Sequence, residues 1–215
     1  MFVRRALFRL LRLAFHLFYH PFAFTYDFVS ALVSRGRWRD WTRAAIPRIT
    51  GTRVLEVPCG TGNLLLDLRA AGYAPVGVDL SASMLNITRG KFERNGVRPL
   101  LARARAQQLP FPDRAFDSVV MTFPPGFVYD PSAFGELRRV LDDRGRLVWV
   151  DGARFTSGVW GRLVNRWIGF VGGEIEFERT LKQVLNDAGF DAQVEWVEDD
   201  ASVVAVAVAT KEKEE

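Results

Sequence analysis

Hydrophobic positions along the chain follow two rhythms. Before residue 50 they recur at helical spacing. From residue 52 short apolar runs alternate with stretches of three- and four-residue periodicity. The runs are TRVLEV, APVGVDL, RPLLARA, FDSVVMTF and GRLVWVDG, and the helical stretches between them include NLLLDLRAAG, SASMLNITRGKFERNG and SAFGELRRVL. Compact apolar strands of this kind suit a buried parallel sheet, and the intervening helices supply the crossovers. The pattern predicts a doubly wound α/β sheet covered on both faces. Near the end the rhythm changes. A helix over about Phe177 to Ala188 stops at Gly189, and the strands AQVEWV and SVVAVAVAT follow with only EDDA between them. So short a link requires an antiparallel hairpin, because a parallel crossover needs a dozen or more residues.

The first fifty residues read as N-terminal helices, and residues 51–215 as the main domain. In MFVRRALFRLLRLAFHLFYHPF, Arg5, Arg9, Arg12 and His16 fall on one helical face, opposite a broad apolar side that includes Phe8, Leu11 and Phe15. The arginines rule out a bilayer-spanning helix, and a small-residue cleavage site is missing. Two readings stay open: a helix lying on an anionic membrane surface through residues 1–20, or a lid helix packed on the domain. The expected location is cytoplasmic, with peripheral contact at the inner membrane surface in the first reading. A second helix spans about Tyr26 to Arg35. Trp38 and Trp41, three apart, read as core packing.

Composition narrows the chemistry. The chain has 215 residues, 48% hydrophobic and 25% charged, which suits one globular domain with an appendage. A single cysteine, Cys59, excludes a disulfide framework and a multi-cysteine zinc site. Both histidines, His16 and His20, precede the core, so most hydrolase mechanisms lose their usual general base. The net charge of +4 comes from nine arginines against two aspartates in residues 1–50; the remainder carries a small acidic excess. Nucleic acid is therefore a disfavoured partner.

The strongest local signal is EVPCGTGNL, Glu56 to Leu64. A strand ends, a glycine-rich turn follows, and a helix begins near Gly62. Gly60 and Gly62 would let backbone approach a ligand at a helix N-terminus. Asp79 closes the next strand 17 residues beyond Gly62, where a carboxylate can accept two ribose hydroxyls. Leu65 stands where a dinucleotide fingerprint wants a third glycine, and no Walker A run exists. Adenosine without a pyrophosphate fits better.

VLEVPCGTGNLLLDL, GVDLSASML, LPFPDRAFDSVV and LRRVLDDRGRLVWV resemble, in order and spacing, the motifs of class I S-adenosylmethionine-dependent methyltransferases, most closely the methyltransferase type 11 group, which includes quinone-biosynthesis enzymes. The resemblance implies a Rossmann-like seven-stranded sheet and S-adenosyl-L-methionine as cofactor. It implies that Gly60 and Gly62 hold the methionine end, with Glu56 acting through water or loop backbone. Asp79 would bind the ribose, Leu80 and Met84 would lie beside the adenine, Ala106 and Gln107 would supply backbone contact to it, and Thr122 would face the methyl group. Two positions depart from the family pattern. Pro58 replaces the first loop glycine, and Arg105 stands where many relatives have an aspartate.

Function is then expected to be methyl transfer to a small, hydrophobic acceptor such as a quinone precursor or lipid. Phe123, Phe127 and Tyr129 are candidate acceptor-pocket residues, joined by the aromatic stretch GVWGRLVNRWIGFVGG as a further wall or as a buried helix face. TFPPGF resembles the Asn/Asp-Pro-Pro-aromatic box of amino-methylating enzymes but lacks its polar first residue. No catalytic base is assigned and no metal is expected. The alternatives are a non-catalytic cofactor-binding protein with the same fold and an RNA methyltransferase.

Overall fold

The computed structural model describes residues 25–172 and 177–212. Helices α1 (Tyr26–Ser34) and α2 (Trp38–Arg43) precede an alternating unit: β1 (Arg53–Glu56), α3 (Asn63–Ala70), β2 (Ala74–Asp79), α4 (Ala82–Arg94), β3 (Leu100–Arg103) and β4 (Phe116–Thr122). Helix α5 (Pro131–Val140), strand β5 (Leu141–Phe155), helices α6 (Val159–Gly172) and α7 (Phe177–Asp187), and strands β6 (Phe190–Glu198) and β7 (Ser202–Lys211) complete it. The seven strands form one sheet in the order β3-β2-β1-β4-β5-β7-β6. Strands β1 to β5 are mutually parallel, and β7 pairs antiparallel with both β5 and β6. The expected α/β sheet and its terminal hairpin are present.

The order of strands decides where a ligand can sit. The order of connection reverses between the parallel strands β1 and β4: β2 and β3 are added outward on one side of β1, and β5 onward on the far side of β4. At such a switch point the loops after the two strands diverge and leave a crevice outside their carboxyl ends. Alternation then sends Leu55, Val119, Met121, Leu147 and Trp149 to one face of the sheet, and Val54, Val120, Val148 and Val150 to the other. Each face has its own apolar cluster, so both are covered.

The first described helices are bolted to the second of these faces. Trp41 is buried there against Phe155, and its indole N–H donates to the Ser202 hydroxyl at 2.8 Å. Asp67, on α3, accepts a bidentate pair from Arg39 at 2.9 and 2.7 Å and a further bond from Arg43 at 2.7 Å. These bonds outweigh the burial that would raise the Asp67 carboxyl and hold it below its ordinary range. Residues 1–24 lie outside the described residues, so the arginine-faced helix read there has no structural account.

Helix α6 fits the buried-face reading only in part: Val164 packs on the second apolar cluster, while the Trp167 side chain lies outside the described residues. Val159, Trp160 and Leu163 are exposed, and Gly161 packs its backbone on Phe155. Trp160 donates its indole N–H to the Val33 carbonyl at 3.3 Å, so this residue joins α6 to α1.

Candidate functional site

Two adjoining cavities occupy the crevice at the carboxyl ends of β1, β2 and β4. The first, about 50 Å³, is lined by Glu56, Cys59, Gly60, Asp79, Thr122 and Phe123, with Tyr26 and Trp38 closing it from the N-terminal helices. The second, about 320 Å³, is lined by Asp79, Leu80, Ala106, Gln107 and Phe127, with Arg105 on its exposed rim. Asp79 and Pro58 belong to both. The structure thus brings together most of the residues read from the motifs, at the place the topology favours.

The turn between β1 and α3 is fixed from several sides. The Cys59 N–H donates to the Val78 carbonyl at 2.8 Å, and the Thr88 hydroxyl donates to the Gly60 carbonyl at 2.9 Å. Asp79 accepts the Gly60 N–H at 2.9 Å and the Ser81 N–H at 2.8 Å. Its carboxylate therefore holds the turn against the end of β2 as well as facing both cavities. Gly60 sits at φ +50°, and a Cβ added there would meet no atom within 4 Å. The open space beside it is what a ligand would fill.

Gly62 is different from the expectation. It caps α3 at φ +75°, and an added Cβ would lie 2.4 Å from Thr88 Cγ2. Its close approach is to α4, not to a ligand, and it lines neither cavity. Met84 is likewise fully buried and lines neither cavity, so it belongs to the core under α4. Phe127 faces the second cavity while Phe123 faces the first, so the two do not form a single acceptor wall. The Tyr129 side chain lies outside the described residues. Trp38, read as core packing, does pack on the second apolar cluster, and it also lies against Phe123 with ring centroids 4.4 Å apart and lines the first cavity. Its distance in sequence from the motifs hid that role.

Glu56 is the electrostatic centre of the first cavity. It is only 2% exposed, and its Oε2 has no hydrogen-bond partner among the described residues. Burial and the neighbouring Asp79 and Asp67 carboxylates push its carboxyl well above the ordinary value, opposed only by the Leu65 N–H. A buried, unpartnered carboxyl oxygen beside a cavity suits a cationic donor.

Asp151, one step beyond the Val150–Thr122 pair on β5, was not singled out by any motif. Burial raises its carboxyl to about 6, against bonds from the Gly152 and Trp149 N–H groups. A folded-state value above the unfolded one makes the protein less stable as pH rises from about 4 to 6, because the unfolded chain releases this proton first. The shift of about two units corresponds to about 3 kcal/mol. Asp151→Asn is therefore expected to raise the stability measured by urea unfolding at pH 7 and to leave it unchanged at pH 3.5. An equal effect at both pH values would count against an ionised, buried Asp151.

A family profile described as a methyltransferase domain matches residues 54–145. The demethylmenaquinone methyltransferase of Thermus thermophilus is 38% identical over 160 residues, covering 70% of this chain and 73% of that protein. The ubiquinone/menaquinone biosynthesis C-methyltransferase of Paraburkholderia phymatum is 31% identical over 221 residues, covering 90% of each. This chain belongs to the class I S-adenosylmethionine-dependent methyltransferases. A SAM-dependent methyltransferase from Thermotoga maritima shares the fold, with a TM-score of 0.67 at 22% identity over 92% of this chain and 99% of that one. So does a Haemonchus contortus phosphoethanolamine N-methyltransferase in complex with S-adenosyl-L-methionine, with a TM-score of 0.60 at 16% identity over 81% and 53%.

The methyltransferase uses S-adenosylmethionine and methylates a small molecule. The donor set fits that cofactor: an orphan buried carboxyl for an ammonium, an open space at Gly60, and a second cavity large enough for adenosine. The two departures from the family pattern are also accounted for. Pro58 has no N–H to donate, and its neighbours tie the turn to the sheet instead: the Val57 N–H donates to the Val120 carbonyl at 3.0 Å and the Cys59 N–H to the Val78 carbonyl at 2.8 Å. Arg105 turns to solvent, and the Gln107 amide donates to Asp130 Oδ2 at 3.1 Å.

Proposed function

We propose that this methyltransferase acts on a hydrophobic, quinone-precursor-like acceptor. The aromatic wall of Tyr26, Trp38 and Phe123, which lines the same cavity as Thr122, carries the reading, because it makes the approach to the methionine end of the crevice apolar. The relatives named above, which are named for quinone-biosynthesis methylation, support the same acceptor class.

In this reading Glu56 takes the cofactor's ammonium and Gly60 lets its amino-acid portion approach the turn. Asp79 accepts the ribose hydroxyls. Leu80 covers one side of the adenine, and Ala106 and Gln107 offer backbone to its edge. When bound, the cofactor supplies a methyl group on a sulfonium. The protein contributes alignment and exclusion of water, and positioning of this kind contributes up to roughly 7–11 kcal/mol. Thr122 and Phe123, at the end of β4, set the line of approach. Among the described residues there is no histidine, so an acceptor that is already acidic suits the site.

An exposed apolar surface outside the two cavities bears on the same reading. Phe28, Leu32 and Val33 on α1 and Val159, Trp160 and Leu163 on α6 are all exposed, and the Trp160 indole bond to the Val33 carbonyl joins the two helices. Arg35, just past α1, and Arg162 and Arg166 on α6 are exposed as well. We read this surface, together with residues 1–20, as a reversible contact with an anionic bilayer, each arginine contributing about 1 kcal/mol.

The test is isotope transfer from labelled S-adenosylmethionine to demethylated quinone precursors of graded side-chain length, with and without anionic liposomes. Product should form with the apolar acceptors and increase with liposomes at low salt. A protein lacking residues 1–20 should keep its cofactor affinity and lose the liposome effect. Transfer only to water-soluble acceptors would overturn the acceptor class. Indifference of the intact chain to liposomes would remove the membrane contact.

A further inference from the structure

Asp27 belongs to no motif, yet it joins three elements at the edge of the first cavity. Its Oδ1 accepts the Thr61 hydroxyl at 2.6 Å and the Asn63 side-chain amide at 3.0 Å. Its Oδ2 accepts the Lys91 ammonium at 2.6 Å, and Lys91 donates again to Asn63 Oδ1 at 2.6 Å. The ring of bonds therefore ties α1 to the glycine turn, to the start of α3 and to α4. Burial alone would raise the Asp27 carboxyl, but the bonds from Lys91, Thr61 and Asn63 outweigh it and hold it below the ordinary range. The Asp27 side chain is 40% exposed, so water screens the ion pair and it is the four bonds together that fix α1.

The neighbour of Asp27 matters as much as the ring. Tyr26 lines the first cavity and meets Trp38 edge-on at 6.1 Å, and Trp38 in turn stacks on Phe123. Fixing Asp27 thus fixes the wall that closes the cavity. That cavity is small, about 50 Å³, and opens to solvent on one side. Held in place, α1 covers the methionine end of the crevice beside the glycine turn and limits the water that reaches it.

We propose that Asp27 is a positioning residue for methyl transfer, a latch that holds α1 shut over the methionine end of the site through Thr61, Asn63 and Lys91. It acts through the glycine turn and touches no reacting atom. The proposal rests on the reading of the first cavity as the cofactor's amino-acid compartment.

Cys59 gives a direct readout, since it is the chain's single cysteine, is 4% exposed, and lies in the turn that the latch covers. Alkylation of Cys59 in the cofactor-free full-length protein should be slow. Asp27→Ala should speed it at least about tenfold, raise the Kd for S-adenosylmethionine by a similar factor and lower kcat, because the closed state becomes the minor one. Lys91→Met removes the ion pair while leaving the Thr61 and Asn63 bonds, and should shift all three quantities in the same direction by less. Asp27→Asn, which keeps one oxygen toward Thr61, should recover part of the loss. If Asp27→Ala does not fold, Lys91→Met carries the same test. A folded Asp27→Ala, or Lys91→Met in its place, with wild-type alkylation and cofactor affinity overturns the latch. Saturating S-adenosylhomocysteine should protect Cys59 in the wild type. Failure of that protection would instead overturn the cofactor reading of the compartment.

Discussion

Asp79→Ala is expected to raise the Kd for S-adenosylmethionine roughly 10- to 150-fold, a loss of about 1.5–3 kcal/mol. The carboxylate has two tasks. It would accept the ribose hydroxyls, and it already accepts the Gly60 and Ser81 N–H groups at 2.9 and 2.8 Å. Alanine removes both at once and leaves two backbone donors near the cavity without their acceptor. The loss should therefore be the same for 5′-methylthioadenosine, which carries the ribose and adenine but no amino-acid portion. Asp79→Asn should fall between wild type and alanine, because one oxygen remains and the new amide opposes one of the two N–H donors. Titration calorimetry with both ligands checks this. An alanine variant that binds methylthioadenosine like wild type would remove Asp79 from the ribose contact.

How much of this was legible in the sequence depends on how local each signal is. Glu56, Gly60 and Asp79 could be read because the strand, turn, helix and acid that place them follow one another within 24 residues, and no distant contact is needed to set their order. The terminal hairpin was legible for the same reason, since four residues cannot carry a parallel crossover. Gly62 shows the limit of a motif. Its position was found, but its reason is Thr88, 26 residues further on, and only the docking of α4 on α3 reveals it. Met84 was misplaced because an apolar residue in the first turn of α4 can face the core or the ligand, and the rotation of the helix decides which. Trp38 was read only as core packing, and Asp27 and Lys91 were missed altogether. Their roles arise where α1 and α2 fold back over a turn at residues 58–62, and nothing in helical periodicity says where a helix will dock.

Glu56 offers the sharper test of what the site is built to hold. Glu56→Gln keeps the shape and an oxygen to accept the Leu65 N–H, but removes a charge that burial and the Asp79 and Asp67 carboxylates already oppose. Because the folded-state carboxyl titrates above its ordinary value, its contribution to stability is fully present at low pH. It is lost as pH rises from the ordinary carboxylate range toward the folded value. The variant does not titrate there. Its thermal midpoint without cofactor should thus match wild type near pH 4 and exceed it increasingly toward pH 7. Ligand binding should move the opposite way. S-adenosylmethionine and S-adenosylhomocysteine both carry the ammonium that would pair with Oε2, and their Kd values should rise roughly tenfold or more. Methylthioadenosine, lacking that group, should bind the variant and the wild type alike. This pattern separates Glu56 from Asp79: one substitution spares methylthioadenosine and the other does not. Unchanged S-adenosylhomocysteine affinity in Glu56→Gln would show that the orphan oxygen faces no cation, and the orientation of the cofactor along the two cavities would then have to be reversed.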